Sequence, residues 1–116
     1  MARIVTKSRA FPLQNAAGHH ALGLWQVRAQ QTNAAIASLT RASELAPADA
    51  RFGYVLAVAL AGRGNREQAI RILDRALEVR PNDANALRAL AGYLREVGQT
   101  ERAAEVRQKL DSLLRE

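Results

Sequence analysis

His19 and His20 are the only histidines among the 116 residues, and cysteine is absent. Without thiols, disulfides, zinc–thiolate sites and cysteine nucleophiles are excluded. Adjacent residues on a helix project about 100° apart. The two imidazoles therefore cannot readily converge on one metal ion, for which a helix would offer ligands at i and i+4. No serine, histidine and acid stand at a spacing that suggests a nucleophile relay, and no carboxylate pair suggests acid–base work. Gly62-Arg63-Gly64-Asn65 sets two glycines close together but lacks the lysine and hydroxyl of a phosphate-binding loop. These glycines read as turn punctuation. The expectation is a chain with no catalytic residues, no metal and no cofactor.

Charge raises a different possibility. The formal net charge of +6 invites a nucleic-acid partner. Fifteen of the 17 basic residues are arginine and 24 residues are alanine, a bias that a GC-rich genome imposes on any protein. The excess is also spread along the chain, at +3 over 1–49, +2 over 50–83 and +1 over 84–116. Only Met1 to Phe11, with Arg3, Lys7 and Arg9, is a block of one sign. It lacks the apolar core of a signal peptide, so residues 1–15 read as a flexible basic leader. The longest uncharged apolar stretch, Gly53 to Gly62, is far short of the roughly 20 residues that a membrane-spanning helix needs. A soluble protein with no membrane insertion is expected; the residues leave its compartment open, with the cytoplasm favoured.

The apolar mass is alanine and leucine, both strong helix formers, and a period organises it. Pro47 and Pro81 lie 34 residues apart, within Glu44-Leu45-Ala46-Pro47 and Glu78-Val79-Arg80-Pro81. The same shift relates Leu22, Leu56 and Leu90; Gly23, Ala57 and Ala91; and Ala35, Ala69 and Ala103. It also relates Leu39 to Leu73, Ala42 to Ala76 and Gly64 to Gly98. The units are 16–49, 50–83 and 84–116, each reading as two helices. In the middle unit Asp49 is a natural N-cap for a helix over about 50–61. Gly62-Arg63-Gly64 breaks that helix, and Asn65 with Gln68 has the spacing of a capping box for a second helix. Ala69, Ile70, Ile72, Leu73, Ala76 and Leu77 form its apolar side, and Pro81 ends it. In the third unit Asp83 caps, Leu87, Leu90, Ala91 and Leu94 pack, Gly98 breaks, and a last helix runs from Gln99 or Thr100 to about Leu114. In the first unit Thr32 or Asn33 caps the second helix. Glu67–Arg71, Glu105–Lys109 and Asp111–Arg115 are spaced to pair on exposed faces.

A helical hairpin of 34 residues closing on proline resembles the tetratricopeptide repeat. The middle unit carries the family's places as Leu56, Ala57, Leu60, Ala69, Leu73, Ala76 and Pro81, and the first as Leu22, Gly23, Ala35, Leu39, Ala42 and Pro47. Departures are Gly53 at the family's tryptophan, Gln26 at its tyrosine, Gln30-Gln31 at the first glycine turn, and Arg107 and Leu110 in the last helix. The resemblance implies an all-α fold, a right-handed α-α superhelix of three tetratricopeptide helical hairpins. It further implies a scaffold that binds a peptide or helix of a partner protein on a concave surface lined by the first helices.

Family geometry places Ala17, His20, Leu24, Val27 and Arg28 on that surface from the first unit. It adds Arg51, Tyr54, Val58 and Ala61 from the second, and Asn85, Arg88, Gly92 and Arg95 from the third. This lining mixes apolar places with arginines and has no acid. The guanidinium fork suits carboxylates, so the expected ligand is an acidic protein or peptide with an apolar anchor, with Glu96 weakening the field at the rim. The subfamily that grips C-terminal chaperone tails needs lysine and asparagine where His20 and Leu24 stand, so that ligand is not expected. One alternative is a nucleic-acid binder acting through the leader and arginines; another is a homodimer formed through the C-terminal helix.

Overall fold

Residues 15–115 are described by a computed structural model; the expected leader lies outside them but for Asn15. They hold six helices and no strand. The chain divides after Pro47 into two compact units.

The first unit is one hairpin, α1 (Ala16–Arg28) and α2 (Thr32–Leu45). Asn15 caps α1, its Oδ1 accepting the Gly18 N–H at 2.8 Å. The turn closes by Gln30 N–H to the Val27 carbonyl at 3.0 Å and Gln31 N–H to the Gln26 carbonyl at 2.8 Å. This is the two-bond closure that satisfies the last carbonyls of a helix, and it requires a left-handed residue. Gln30 takes that role at φ 62°. The N-cap of α2 is Gln31 rather than Thr32 or Asn33, and it makes no side-chain capping bond. The tight turn has already committed the Gln31 N–H, which leaves Thr32 as the first helical residue.

Close approach defines the interior of this hairpin. A Cβ built on Gly23 would lie 2.7 Å from both Cγ and Cδ2 of Leu39, and Leu39 is fully buried with Ala35 and Ala42 around it. One polar contact joins the helices there: Ser38 Oγ donates to Gln26 Oε1 at 2.7 Å. Gln26 stands at the family's tyrosine position, and Ser38 is its partner across the interface.

The second unit is two hairpins, α3 (Ala50–Gly62) with α4 (Arg66–Val79), and α5 (Ala84–Glu96) with α6 (Thr100–Arg115). Each helix packs on its hairpin partner, α5 also packs on α4, and α3 touches α5. Asp49 Oδ1 caps α3 through the Arg51 N–H at 3.0 Å, and Asp83 Oδ1 caps α5 through the Ala86 N–H at 3.1 Å. Gly64 at φ 91° and Gly98 at φ 90° make the left-handed turns. Asn65 does precede α4 but makes no side-chain capping bond. Its N–H closes the α3 turn on the Leu60 carbonyl at 2.9 Å, and at ψ 61° its backbone is outside the extended region in which a cap points at the helix amides. Arg80 has left the helical region (φ −129°, ψ 83°) ahead of Pro81, as the proline ring demands of the residue before it.

The shared interior holds Leu56, Leu60, Leu73, Leu87, Leu90, Leu94 and Leu110 between the alanines 57, 69, 76, 91 and 103. Ile72 and Leu77 are half-buried. Two ion pairs reach from α4 to the next hairpin, Arg66 to Glu96 and Arg102 to Asp74. Their side chains are 36–50% exposed, so each contributes only about 0.2–1 kcal/mol. None of the three expected i,i+4 pairs forms among the described residues; Asp111 pairs with Arg107 at 3.7 Å instead.

Two substitutions check this account. Gln30→Gly should raise the stability of the first hairpin by about 1 kcal/mol, because a side chain in the left-handed region costs roughly that much; a lower or unchanged denaturation midpoint contradicts it. Leu73→Arg should abolish the cooperative unfolding of the second unit, since a buried charge without a partner is costly. A native helical circular dichroism signal with an unshifted melting point would refute the assigned core.

Candidate protein-interaction surface

The three first helices α1, α3 and α5 each bury some residues and leave others open to solvent, and the predicted site residues other than Ala61 are exposed or half-buried. In the first unit, His20 and Leu24 are half-buried on α1 and Arg28 is exposed in its last turn. The same helix exposes Trp25 and Val27, by 51% and 47%. Trp25 was not among the expected contact residues, although its register, shared with Ala59 and Tyr93 one and two periods on, is readable in the sequence.

In the second unit the structure brings α3 and α5 side by side. Arg51, Asn85, Arg88 and Arg95 are exposed, Val58 is 41% exposed, and Tyr54 and Gly92 are half-buried. Ala61 departs from the expectation: it is buried. It sits where α3 ends, with its carbonyl accepting the Gly64 N–H at 2.9 Å as the chain turns into α4.

The charges are less uniform than the residue types suggest. Arg51 is held by Asp49, with Nη2 donating to Oδ2 at 3.2 Å, and its guanidinium lies 5.2 Å from the centre of the Phe52 ring. The α3 cap therefore also balances an arginine of the lining. Glu96 is likewise engaged, with Arg66. Arg88 donates from Nη1 to the neutral Asn85 Oδ1 at 3.2 Å. Among the described residues neither Arg88 nor Arg95 forms an ion pair.

Tyr93 is a participant that sequence reasoning missed. Burial pushes its phenol above the usual tyrosine value, Tyr54 and Glu96 push in the same direction, and Arg66 opposes them. Tyr54 on α3 and Tyr93 on α5 are thus close enough to sense each other. Both tyrosines are half-buried.

The outward residues of α6 are polar or charged for most of its length, and its exposed large apolar side chain is Leu114, at 61%. No described helix is long and apolar enough to cross a membrane. Among the described residues no group of three or more histidines, aspartates and glutamates is placed to hold a metal ion.

Paired helices at a 34-residue period, with small residues at the crossing and a left-handed turn within each pair, define a helical-hairpin repeat protein. The tetratricopeptide repeat model matches residues 26–93, and the chain belongs to that family. Solved structures of MamA are similar to it. One crystal structure of MamA has a TM-score of 0.83 at 20% identity, over 89% of this chain and 60% of that one. A mutant of MamA has a TM-score of 0.76 at 30% identity, over 84% and 72%. A third, MamA AMB-1, has a TM-score of 0.80 at 29% identity, over 96% and 61%. The chain thus spans 60% of the length of the first of these. No curated protein sequence matches it.

Alkaline titration tests the placement of Tyr93. Its folded-state pKa is raised, so the protonated phenol contributes stability that is present below the unfolded pKa and lost as pH climbs through the folded value. Ultraviolet absorbance should show a tyrosine that ionises late. Tyr93→Phe should remove that late step and Arg66→Ala should delay it further; an unaltered titration in both variants would contradict the described surroundings.

Proposed function

We propose that this chain is a protein-interaction scaffold whose second unit holds an acidic peptide or helix of a partner protein against α3 and α5. The observation that carries the reading is the coexistence on one face of an exposed Val58, the half-buried Tyr54 and two arginines, Arg88 and Arg95, without a carboxylate partner. An unpaired guanidinium fork recognises a carboxylate by paired, charge-assisted hydrogen bonds. A tyrosine beside an exposed valine supplies rigid apolar contact at low entropic cost. Arg51 and Asn85 flank the face, each holding a neighbour in place. His20, Leu24 and Arg28 are proposed as partner-contacting residues of the first unit, taken by itself. Membership of the tetratricopeptide-repeat family supports binding to protein rather than to nucleic acid.

The test is titration of the full chain with synthetic peptides in which glutamates flank a leucine, alongside matched peptides with lysine for glutamate. The acidic set should bind, more weakly as salt rises, and the basic set should not. Arg88→Glu with Arg95→Glu should cost at least about tenfold in affinity, equivalent to about 1.4 kcal/mol, while the far-ultraviolet circular dichroism stays native. Unchanged affinity in the double variant would place the binding face elsewhere.

A further inference from the structure

The charged residues of α5 are Arg88, Arg95 and Glu96, and Glu96 is taken up by Arg66. Arg88, Gly92 and Arg95 follow one another at i, i+4 and i+7, so they form a single stripe along the exposed side of the helix. Seven residues of helix span about 10.5 Å. Two cations thus stand two turns apart with a residue lacking a side chain between them. A Cβ added at Gly92 would meet nothing within 4 Å, so the helix backbone itself is the floor at that point. One period earlier, the same register on the adjacent α3 holds Val58, which is 41% exposed. The stripe is open at its middle and carries a cation at each end, with Val58 exposed on the neighbouring helix.

The acids nearest in the chain do not fill it. Asp49 pairs with Arg51, Asp83 caps α5 through the Ala86 N–H, and α3 carries no acidic residue.

Resting on the scaffold reading above, we infer that the ligand is an amphipathic helix that lies along α5 over Gly92, with acidic residues at i and i+7 answering Arg95 and Arg88 and an apolar residue near i+4 seated against Val58. A helix matches the spacing because its own i to i+7 distance repeats that of the two arginines. Helix axes packed through small side chains approach to about 8 Å, and the glycine permits that approach. An extended strand advances about 3.3 Å per residue and alternates its faces. Its acids would meet the arginines only three residues apart, from opposite faces.

The experiment uses the full chain and three labelled peptides of one length and net charge, read by fluorescence anisotropy at concentrations up to about 1 mM. The first is an alanine-based helix with glutamates at i and i+7 and leucine at i+4. The second moves the glutamates to i and i+5, and the third repeats the first with a central proline that breaks the helix. The expected result is that the first binds at least fivefold tighter than either other. Gly92→Leu should weaken it at least tenfold while leaving the helical signal and melting point unchanged or raised, since the added side chain enters open space. Arg88→Glu with Arg95→Glu should abolish binding. If all three peptides bind alike and respond to the arginine reversal but not to Gly92→Leu, the helical ligand is overturned and the acidic scaffold stands. If none binds, both fall.

Discussion

Within each hairpin the structure depends on how closely two helices can approach at one register. Gly23, Ala57 and Ala91 hold that place, and each is buried. Opposite Gly23 stands Leu39, with no room for even a methyl group between them. Such an approach fixes the crossing of the two helices and hence the short span their connection must bridge. Three residues serve in each case, Ala29–Gln31, Arg63–Asn65 and Val97–Gln99. A turn this short must place its middle residue in the left-handed region. With the second helix locked against one side of the first, the opposite side of the first helix has no intramolecular use. The open face on which Arg88, Gly92 and Arg95 stand follows from that closeness.

The first hairpin reaches the same geometry by other chemistry. Leu60 with Ile72, and Leu94 with Val106, occupy matched places in the later hairpins, where α1 and α2 carry Gln26 and Ser38. Their hydrogen bond satisfies the buried Ser38 hydroxyl, which would otherwise be left unpaired at about 1–3 kcal/mol, and it fixes the half-buried Gln26. A change of either residue alone to an apolar one would orphan its partner. Gln26, a departure from the family pattern, is thus matched by a polar partner on the facing helix. The sequence gives no sign of this until Ser38 is seen to face Gln26.

The period, the six helices and the alanine–leucine interior were legible because each rests on residues with few conformational options: proline, glycine, and small side chains at a fixed interval. Cap positions were legible at Asp49, Asn65 and Asp83, although Asn65 makes no side-chain capping bond, and were misplaced at Thr32 or Asn33, where closure of the preceding turn makes Gln31 the cap. Ion pairs were the least legible. Arg66–Glu96 and Arg102–Asp74 join residues 30 and 28 apart, off the repeat interval, while the pairs suggested by i,i+4 spacing did not form. Exposed arginines choose among acids that differ by less than about 1 kcal/mol, and which acid lies within reach is decided by packing between hairpins. Tyr93 was missed for the same reason, since its surroundings come from α3 and α4 as well as from α5.

Those pairings decide which charges stay unbalanced on the open face. Counted along the sequence, the second and third repeats are only slightly basic, at +2 and +1, which argues against any marked field. The structure distributes the charge differently. Asp49 and Glu96, the acids nearest the face, are consumed by Arg51 and Arg66, while Asp74 is drawn to α6 by Arg102. Arg88 and Arg95 are left as the unbalanced charges beside Tyr54 and Val58. A small net charge is thus compatible with a locally cationic face, because recognition depends on which guanidinium groups still lack a carboxylate once the fold has satisfied its own.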